Sequence, residues 1–580
     1  MARIPCSQSV VFAAAACAAG LALLTCASTA HAQLRVADWN VTNYSSGRTS
    51  EFQTAIYATA PNGLRFDPDI LLAQEIVDAT GRQNFLNLLN SAPSGHTDWA
   101  ATPFVATPVN PSSNPSHVMF YRTTKVDLLT QPVPAPNTVK VLREGTTGAA
   151  STYGDTGSCA VCPPRDTHRY LVRLKDYPAG SASELYLYTT HFKAGSAGSD
   201  QARRTPEADR LRADSNALPI GTNFLFGADF NIQNSNQTAY ENLLVNGSNA
   251  AGRFIDPIIT PGSWENNSAF RVVHTQEPAS QMDSRHDQIL IAPTLRNGSG
   301  MEYIGSTTLP YSTVTWNDPN HSYRCWGNDG TTYGTPIATA SNTEVGPTIA
   351  AALITSVQGN GHLPVFLNLR VPARLAPLAS AASDVLLTTR DFGTVQRNAL
   401  ATVEVVIRNG APLVVGQDPH FARFSRDGTA AGFETLTYSL SASGDFSAPA
   451  GTFTRTAGPD AAAADTRVIT LDTASVGLKT GTLTITSNAA NQPTILITLT
   501  GEVIGGCVAD IADDAGNAPP VGSNNGVNEG DYNAFFNGFF TGAPYADIAD
   551  DAGNAPPLGS NNGVNEGDYN AFFNNFFLPC

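Results

Sequence analysis

The segment Phe224–Asn231, with the sequence FLFGADFN, gives the strongest indication of the architecture. Its first three residues are apolar, which is typical of a short buried strand, and a carboxylate and an amide follow at Asp229 and Asn231. Two other apolar segments end in the same way, one at Asn40 and one at Glu75. Because α/β scaffolds commonly present functional side chains at strand ends, this pattern predicts one shared site.

Two histidines and a further carboxylate occupy comparable positions. His191 follows the run LYTT, Asp287 precedes the run QILI, and His362 opens the run HLPV. Each of these residues alone has an ordinary explanation, such as a turn cap or a hydrogen-bonded structural imidazole. Their joint occurrence at strand ends favours a catalytic site.

Apolar runs and helical patterns alternate over residues 33–372. The predicted strands are Leu34–Trp39, Asp69–Ala73, Leu185–Thr190, Phe224–Phe226 and Gln288–Ala292, and the predicted helices are Glu51–Thr59, Thr80–Asn90, Pro206–Ser215 and Thr238–Val245. This mixture predicts a layered α/β (α+β) domain.

These motifs resemble those of the endonuclease/exonuclease/phosphatase superfamily, which has the deoxyribonuclease I-like fold. The resemblance covers residues 34–370, and its strongest parts are Ala37–Asn40, Asp69–Glu75, Gly227–Asn231 and Gly361–Val365. It implies a four-layer α/β sandwich and divalent-metal-dependent hydrolysis of phosphodiester bonds, by a nuclease or a related phosphodiesterase.

The resemblance also implies roles for the residues at the strand ends. Glu75, with Asn40 beside it, is similar to the site that binds Mg²⁺ (or Mn²⁺), and oxygen ligands suit such a hard cation. Asp229 resembles the residue that aligns or deprotonates the attacking water, and Asn231 resembles the amide that holds a phosphate oxygen.

The resemblance assigns the remaining catalytic residues to stabilising the negative charge of the phosphate. His191 and His362 resemble the two histidines that flank the scissile phosphate, and Asp287 resembles the carboxylate that orients the second of them. Tyr121 and Arg122 resemble a strand that contributes a phenol or a guanidinium near the phosphate.

The substrate is left open by the sequence. A nuclease needs a basic groove, for which Lys193, Arg203 and Arg204 are candidates, whereas a lipid phosphodiesterase needs exposed aromatic loops, for which Trp264 or Trp326 could serve. DNA, RNA, phospholipid and small phosphoesters all remain possible substrates.

One position departs from the family pattern. The family reads Ser-Asp-His where this chain reads Asn360-Gly361-His362, so the acid before the histidine is absent. This departure predicts altered metal binding and favours a second hypothesis, a catalytically degenerate surface or binding protein that retains the hydrolase fold.

Charge is distributed unevenly along the chain. The 33 Lys and Arg and the 49 Asp and Glu give a formal net charge of −16, which argues against a polyanionic partner for the whole chain. The segment 507–580 contains ten carboxylates and no Lys or Arg, so most of the excess lies there. That segment is suited to binding cations.

The N-terminus resembles an export signal. Residues 1–32 combine Arg3, the apolar run Val10–Leu24 and the cleavage-site pattern Ala30–Ala32, which predicts a signal peptide and a secreted or cell-surface (extracellular or periplasmic) protein. A lipoprotein processed at Cys26 is the alternative. No transmembrane span is predicted in the mature chain.

Five cysteines remain after the leader. An oxidising compartment predicts disulfides between Cys159 and Cys162 and between Cys507 and Cys580, and leaves Cys325 over. A zinc site at Cys159 and Cys162 is the alternative, but it requires a second ligand pair that the sequence lacks.

Residues 373–384 contain small residues and Pro without a sustained period and predict a linker. From residue 385 to 504 the pattern becomes β-branched and partly alternating, as at Thr402–Ile407, Gly481–Thr486 and Thr494–Thr500. This predicts an Ig-like β-sandwich that spaces the flanking parts or mediates adhesion.

The segment 507–580 contains an internal repeat that begins at Ala509 and again at Ala546. It resembles dockerin-type, EF-hand-like calcium loops, each followed by a helix with aromatic residues at helical spacing. The predicted calcium ligands are Asp510, Asp514, Asn528 and Asp531 in the first copy and Asp547, Asp551, Asn565 and Asp568 in the second. Such a module could anchor the protein to a surface or partner; a metal-free helical pair is the alternative.

Overall fold

The structure is a computed structural model that describes residues 33–107, 115–133, 137–142, 165–180, 182–244, 250–306, 308–359, 361–381, 383, 385–397, 399–411, 434–455, 465–504, 508–517, 526–553 and 563–577. The predicted signal peptide, Asn360 and the four cysteines predicted to form disulfides lie outside these residues. Cys325 is a buried free thiol. In the described part of the chain, no helix is both long and apolar enough to cross a bilayer.

The strands follow one another as β1 Gln33–Tyr44, β2 Ile70–Ile76, β3 Trp99–Ala101, β4 Ser116–Arg122, β5 Val126–Leu128, β6 Lys140–Leu142, β7 Thr167–Leu174, β8 Glu184–His191, β9 Phe224–Asp229, β10 Asp287–Ile291, β11 Glu302–Tyr303, β12 Arg324–Cys325, β13 Val365–Arg370, β14 Leu375–Leu378, β15 Thr389–Gln396, β16 Ala401–Asn409, β17 Leu436–Ala442, β18 Phe446–Ser447, β19 Thr452–Arg455, β20 Asp465–Leu471, β21 Gly477–Ser487 and β22 Thr494–Ile504. The α-helices are α1 Thr49–Tyr57, α2 Ala79–Asn90, α3 Gly198–Asn216, α4 Thr238–Leu244, α5 Gly346–Val357, α6 Glu529–Thr541 and α7 Glu566–Phe576.

Two mixed sheets are formed by β1 to β13. The first sheet has the order β11-β13-β1-β2-β4-β3, with β12 paired to β13, and the second has the order β10-β9-β8-β7-β5, with β6 paired to β7. The pairs β1–β2 and β8–β9 are parallel, and their neighbours in each sheet are antiparallel. Asn40, Glu75, His191 and Asp229 therefore come from central strands, whereas Asp287 lies on the edge strand β10.

The two sheets pack face to face, with helices on both outer sides. Residues of both sheets, such as Leu72 and Leu187, share one inner core. A second core joins the outer face of the first sheet to α1, α2 and α5, and a third joins the second sheet to α3 and α4. This is a four-layer α/β sandwich, consistent with the deoxyribonuclease I-like fold implied by the sequence.

Two local features determine the structure of the elements next to the site. Helix α2 begins at Asp78, whose side chain accepts a hydrogen bond from Gly81 N at 2.7 Å and caps the helix. On β9, a Cβ at Gly227 would come within 2.9 Å of Leu72 and 3.1 Å of Asp38 on the opposite sheet. Glycine at this position therefore lets the sheets approach closely next to Asp229.

The remaining strands form a four-stranded sheet of order β14-β16-β20-β18 and a five-stranded sheet of order β15-β22-β21-β17-β19. Leu375, Val405, Ile485 and Ile497 lie in their common core. The linker predicted over 373–384 is wrong in part, because β14 lies within it and pairs antiparallel with β16. Pro377 concealed this strand in the sequence, but β14 is an edge strand, where a missing N–H is tolerated.

The C-terminal repeats form a pair of helices around a shared aromatic contact. Phe535 of α6 and Phe572 of α7 stack with ring centroids 4.0 Å apart and an interplanar angle of 6°. Ile511 and Ile548, which precede the two helices, are buried in the same core. The two copies of the repeat therefore bury their apolar faces against each other.

Candidate active site

Three of the predicted site residues lie side by side on the second sheet. His191 on β8 is in register with Asp229 on β9, and Asp229 is in register with Asp287 on β10. Because neighbouring strands lie about 4.8 Å apart, this register places one imidazole and two carboxylates in a row. The row lies at the ends of β8 and β9 and at the start of β10.

Glu75 reaches the same place from the first sheet through irregular backbone. The β1–β2 register shifts after Asn40, and Glu75 has φ +62°, in the left-handed region that residues with a side chain rarely adopt. Asn43 N donates to Glu75 Oε2 at 2.9 Å and fixes the carboxylate. A bulge of this kind redirects a side chain, and here it turns Glu75 toward the second sheet.

Asn40 links the two sheets with its amide nitrogen. Nδ2 donates to Glu75 Oε1 at 3.1 Å and to Asp229 Oδ2 at 3.0 Å, and Oδ1 accepts from Thr42 N at 3.0 Å. A backbone N–H requires an acceptor, so this bond fixes the orientation of the amide. Asn40 is thus a donor that positions two carboxylates, and its role as an oxygen ligand of magnesium stays a prediction.

His362 precedes β13 and completes the cluster. Its Nδ1 lies 2.7 Å from Asp287 Oδ2, its Nε2 lies 3.7 Å from Asp229 Oδ2, and its carbonyl oxygen accepts from Trp39 Nε1 at 2.9 Å. Burial opposes the charged imidazole, but the carboxylates of Asp287 and Asp229 outweigh it and raise the pKa of His362 to about 10. His362 is therefore an oriented imidazolium at neutral pH.

His191 lies between Asp229 and Glu75 but has the opposite charge preference. Its Nε2 is 3.2 Å from Asp229 Oδ2, and its Nδ1 is 3.4 Å from Glu75 Oε1. Burial, followed by the positive charges of Arg165 and His362, lowers the pKa of His191 well below its usual value. The two histidines thus differ in protonation, and only His362 supplies a positive charge.

Asn231 supports Asp229 from the turn after β9. Its N and Nδ2 donate to Asp229 Oδ1 at 3.1 and 2.8 Å, and Nδ2 also donates to Phe192 O at 3.3 Å. The backbone of Asn231 has φ +47°. The side chain of Asn231 therefore orients the carboxylate next to it, and its contact with a phosphate oxygen stays a prediction.

Gly361 occupies a closed position. A Cβ on Gly361 would lie 2.4 Å from Val357 Cβ and 2.8 Å from Val357 O, at the end of α5. The acid that the family pattern places before the histidine cannot be added here without moving α5. The His362–Asp287 pair is nevertheless complete.

Tyr121 and Arg122 do not reach the site, and the prediction for these two residues is wrong. Strand β4 is antiparallel to β2, so that Tyr121 pairs with Ile70 at the end opposite Glu75. Five residues of strand separate the two ends, about 17 Å. Arg122 donates to Asp98 Oδ1 at 2.8 Å instead.

The side chains considered for substrate recognition are largely engaged or buried. Lys193 lies near His191 in sequence, and its ammonium pairs with Asp200 Oδ1 at 3.0 Å. Arg204 has 0% exposure and donates to the carbonyl oxygens of Lys193 and Gly195. Trp264 and Trp326 both have 0% exposure. Arg204 and the two tryptophans therefore cannot contact a substrate as predicted.

Two charged residues at the site were not found from the sequence. Arg165 precedes β7, and the carboxylates of Glu75, Asp229 and Glu207 act on its charge. Asp38 on β1 is fully buried, and its Oδ1 accepts from Gln74 Nε2 at 2.6 Å. Burial and the nearby Asp287 raise the pKa of Asp38 well above its usual value. A charged residue at the end of a strand was the available signal for Arg165.

The donors at Glu75 fit a divalent cation. The Nδ1 atom of His191 is buried without a hydrogen-bond partner in the described part of the chain and faces Glu75 Oε1. These two atoms lie 3.4 Å apart, and a carboxylate oxygen and an imidazole nitrogen are both ligand types that divalent cations accept. A second group, Asp229, Asp287 and His362, also has its ligand atoms within 4.8 Å of one another. In that group His362 Nδ1 and Asp287 Oδ2 are already paired with each other at 2.7 Å, so Glu75 is the better candidate.

In the C-terminal repeats, two of the predicted calcium ligands, Asp531 and Asp568, accept hydrogen bonds from the backbone. Asp531 Oδ1 accepts from Ile511 N and Ala512 N at 2.6 and 2.8 Å, and Oδ2 accepts from Asn528 N at 2.9 Å. Asp568 makes the equivalent three bonds at 2.6, 2.7 and 2.8 Å. Both carboxylates close a loop and cap a helix, which explains their burial.

The other predicted ligands have different environments. Asp514 and Asp551 each accept from the amide of the helix-capping asparagine, Asn528 or Asn565, at 2.8 and 2.7 Å. Asp510 and Asp547 have 4% and 8% exposure, and one oxygen of each has no partner among the residues described. Burial and the adjacent carboxylate raise the pKa of both groups.

No protein-family model and no curated protein matches the chain. Solved structures do. An endonuclease/exonuclease/phosphatase family protein from Bacteroides thetaiotaomicron is 16% identical, covering 59% of this chain and 96% of its own, with a TM-score of 0.31. Bacteroides thetaiotaomicron mannosyl-6-phosphatase is 17% identical over 58% of this chain and 99% of its own, with a TM-score of 0.32. D. rerio TDP2 complexed with a single strand DNA product is 12% identical. The match covers 58% of this chain and 99% of the TDP2 chain, with a TM-score of 0.31.

The structural neighbours over about 58% of the chain are endonuclease/exonuclease/phosphatase proteins. At these identities and TM-scores, the similarity does not define an activity for this chain. The geometry of the site itself is what bears on activity, through five residues: Glu75, His191, Asp229, Asp287 and His362.

Proposed function

We propose that the protein is a divalent-metal-dependent hydrolase of phosphoester bonds. The convergence of Glu75, His191, Asp229, Asp287 and His362 from two facing sheets on one cluster is the observation that supports this most directly. Phosphodiester substrates remain the first expectation. A non-catalytic binding protein is the alternative, and Gly361 is the feature that favours it.

The residues of this cluster have different roles in the proposed hydrolysis. Asp229, held by Asn40, Asn231 and His191, is placed to align the attacking water and accept its proton. His362, oriented by Asp287, presents a protonated Nε2 toward Asp229 and can stabilise negative charge on the phosphate or protonate the departing oxygen.

A bound Mg²⁺ or Mn²⁺ would neutralise charge that builds up on the phosphate oxygens. Glu75 would hold it, with His191 Nδ1 facing the same point. Asn40 and Asn43 keep Glu75 in place by hydrogen bonds to each of its oxygens.

We expect hydrolysis to require an added divalent cation. The substrates to be tested are plasmid DNA, bis(p-nitrophenyl) phosphate, p-nitrophenyl phosphate and sphingomyelin. EDTA should lower the rate of hydrolysis by the purified protein at least about 100-fold, and added Mg²⁺ or Mn²⁺ should restore the rate. Glu75→Gln should raise the cation concentration needed for half-maximal activity. Absence of turnover on every substrate with either cation would support the non-catalytic alternative.

The C-terminal repeats are proposed to bind calcium and to attach the enzyme to a surface or protein partner. The buried oxygens of Asp510 and Asp547 that lack partners within the described ranges support the first part. The second is supported by the outer ends of the two helices, where Phe540 and Phe577 are 78% and 79% exposed.

Calcium should raise the melting temperature of the C-terminal transition in calorimetry of the full chain, and EDTA should lower it. The double variant Asp510→Asn/Asp547→Asn should lose this response, because it removes the two carboxylates with open oxygens. Asp513→Asn/Asp550→Asn makes the same chemical change at partly exposed positions and should keep the response. A transition that ignores both calcium and EDTA would exclude the calcium proposal.

A further inference from the structure

A cavity at the far end of β10, here called the β10 cavity, takes no part in the proposed hydrolysis. Its volume is about 360 Å³, which is within the range of small-molecule sites. Ile255 lines it and forms a bridge to Ile291, the last residue of β10, whereas Asp287 is the first residue of that strand. Four residues of strand, about 14 Å, separate the two ends, so the cavity is distinct from the catalytic cluster.

The walls of the β10 cavity are mainly apolar and keep contact with solvent. Tyr240 and Phe254 line it and are buried, whereas Leu244, Ile255 and Ile259 line it and are half-buried. A ligand that enters from solvent can therefore contact these side chains directly. Removal of its own apolar surface from water would stabilise the bound state.

Two guanidinium groups bring positive charge to the β10 cavity. Arg253 and Arg296 line it, and both are half-buried. Burial, followed by the positive charge of Arg253, lowers the pKa of Arg212, so cations gather on this side of the domain. A guanidinium has five N–H donors in a planar fork, and it can therefore hold a carboxylate in addition to its contacts within the protein.

Asp256 is the acidic residue among the described residues that line the cavity, and the protein itself neutralises its charge. Arg285 donates from Nη1 and Nη2 to the two oxygens of Asp256 at 3.0 and 3.1 Å. The backbone N–H groups of Ile258 and Thr260 also donate to this carboxylate, both at 3.2 Å. Asp256 therefore does not offset the charge of the two arginines that line the cavity.

A second cavity on the other side of residues 259–261 provides a comparison. Its volume is about 400 Å³, and residues 259–261 line both cavities. The described residues around the second cavity, among them Phe270 and Val272, are all uncharged. A neutral apolar molecule can enter either cavity, whereas an anion is favoured only in the β10 cavity.

We propose that the β10 cavity binds an amphiphilic anion of the fatty-acid type, with its carboxylate held by Arg253 and Arg296 and its hydrocarbon chain against the apolar walls. Charge complementarity selects the head group, because a neutral or cationic head group gains nothing from two guanidinium groups. The apolar walls select the chain, because a small inorganic anion would leave them in contact with water. This binding does not depend on the hydrolase function proposed above.

The test is isothermal titration calorimetry of the full chain with decanoate, 1-decanol and decylamine, which share one chain length and differ in the head group. EDTA is present, so that no divalent cation mediates binding of the carboxylate elsewhere. Decanoate should bind at least about tenfold more tightly than decanol, and decylamine should bind most weakly. Arg253→Gln and Arg296→Gln should each weaken decanoate about tenfold and change decanol less than about threefold, as expected for a lost charged hydrogen bond.

Three further variants locate the ligand, and thermal melts establish that each protein is folded. Leu244→Trp fills the β10 cavity and should weaken decanoate and decanol alike. Ala269→Leu changes the exposed rim of the second cavity and should leave decanoate binding unchanged. The matched control is Arg82→Gln, because Arg82 is also half-buried but lies on α2, where it donates to Thr102 O at 2.9 Å.

Three results would overturn the proposal. The first is an affinity for decanoate that is absent or no higher than that for decanol. The second is unchanged decanoate binding in folded Arg253→Gln, Arg296→Gln and Leu244→Trp proteins. The third is loss of decanoate binding in Ala269→Leu alone, which would place the ligand in the second cavity. Because calorimetry measures binding directly, a protein without phosphoesterase activity would leave this test intact.

Discussion

Replacing Asp229 by Asn should lower kcat by about 10³-fold or more and leave the domain folded. Asp229 is the common contact of the cluster: it accepts from Asn40 and Asn231 and faces both His191 and His362. An amide keeps an acceptor for Asn231 but cannot take a proton from water, and loss of a positioned base typically costs 10²- to 10⁴-fold. Steady-state kinetics on the best substrate and a thermal melt of each protein measure the two effects.

The control for this variant is Asp127→Asn, which makes the same change in an exposed ion pair with Lys175 on the same domain. It should retain full activity. If Asp229→Asn keeps more than a tenth of the wild-type kcat with an unchanged dependence on the cation, Asp229 does not activate water and the assignment of roles in the cluster is wrong.

The fold was predictable where the signal is local. The run from Leu185 to Thr190 lies within β8, and the apolar run before Asp229 is β9, because a buried strand needs only a short apolar segment between polar ends. Helix α5 was missed, although Ile349, Leu353 and Val357 recur at helical spacing on its buried face. Strand β14 was missed because Pro377 and small residues are also typical of linkers.

The site was predictable as a set of residues but not as a set of contacts. Tyr121 was misplaced because the direction of a strand relative to its neighbour is not encoded in its own sequence. The role of Asn40 depends on a bulge that brings Thr42 N to its oxygen. The residue types at strand ends predict the kind of reaction that the site can perform, whereas the tertiary contacts show the role of each residue in it.

Asp287→Asn should lower kcat by about 10² to 10⁴ and shift the alkaline limb of the pH profile to lower pH. Asp287 holds Nδ1 of His362 at 2.7 Å, and loss of a carboxylate that orients a catalytic histidine can cost about 10⁴ in kcat. The carboxylates of Asp287 and Asp229 raise the pKa of His362 to about 10 against the effect of burial. Without Asp287, burial is opposed by less negative charge, so the pKa of His362 falls and activity that requires the imidazolium ends at a lower pH.

The same linkage predicts a pH-dependent loss of stability. The pKa of His362 is raised in the fold, so its ion pair stabilises the native state fully below the unfolded value of about 6.5, and this contribution is lost as the pH rises toward about 10. The difference in melting temperature between wild type and Asp287→Asn should therefore be largest near pH 6 and shrink toward pH 10. The Asp127→Asn protein provides the baseline. A difference that grows with pH, or an alkaline limb that does not move, would show that His362 does not act as a buried imidazolium.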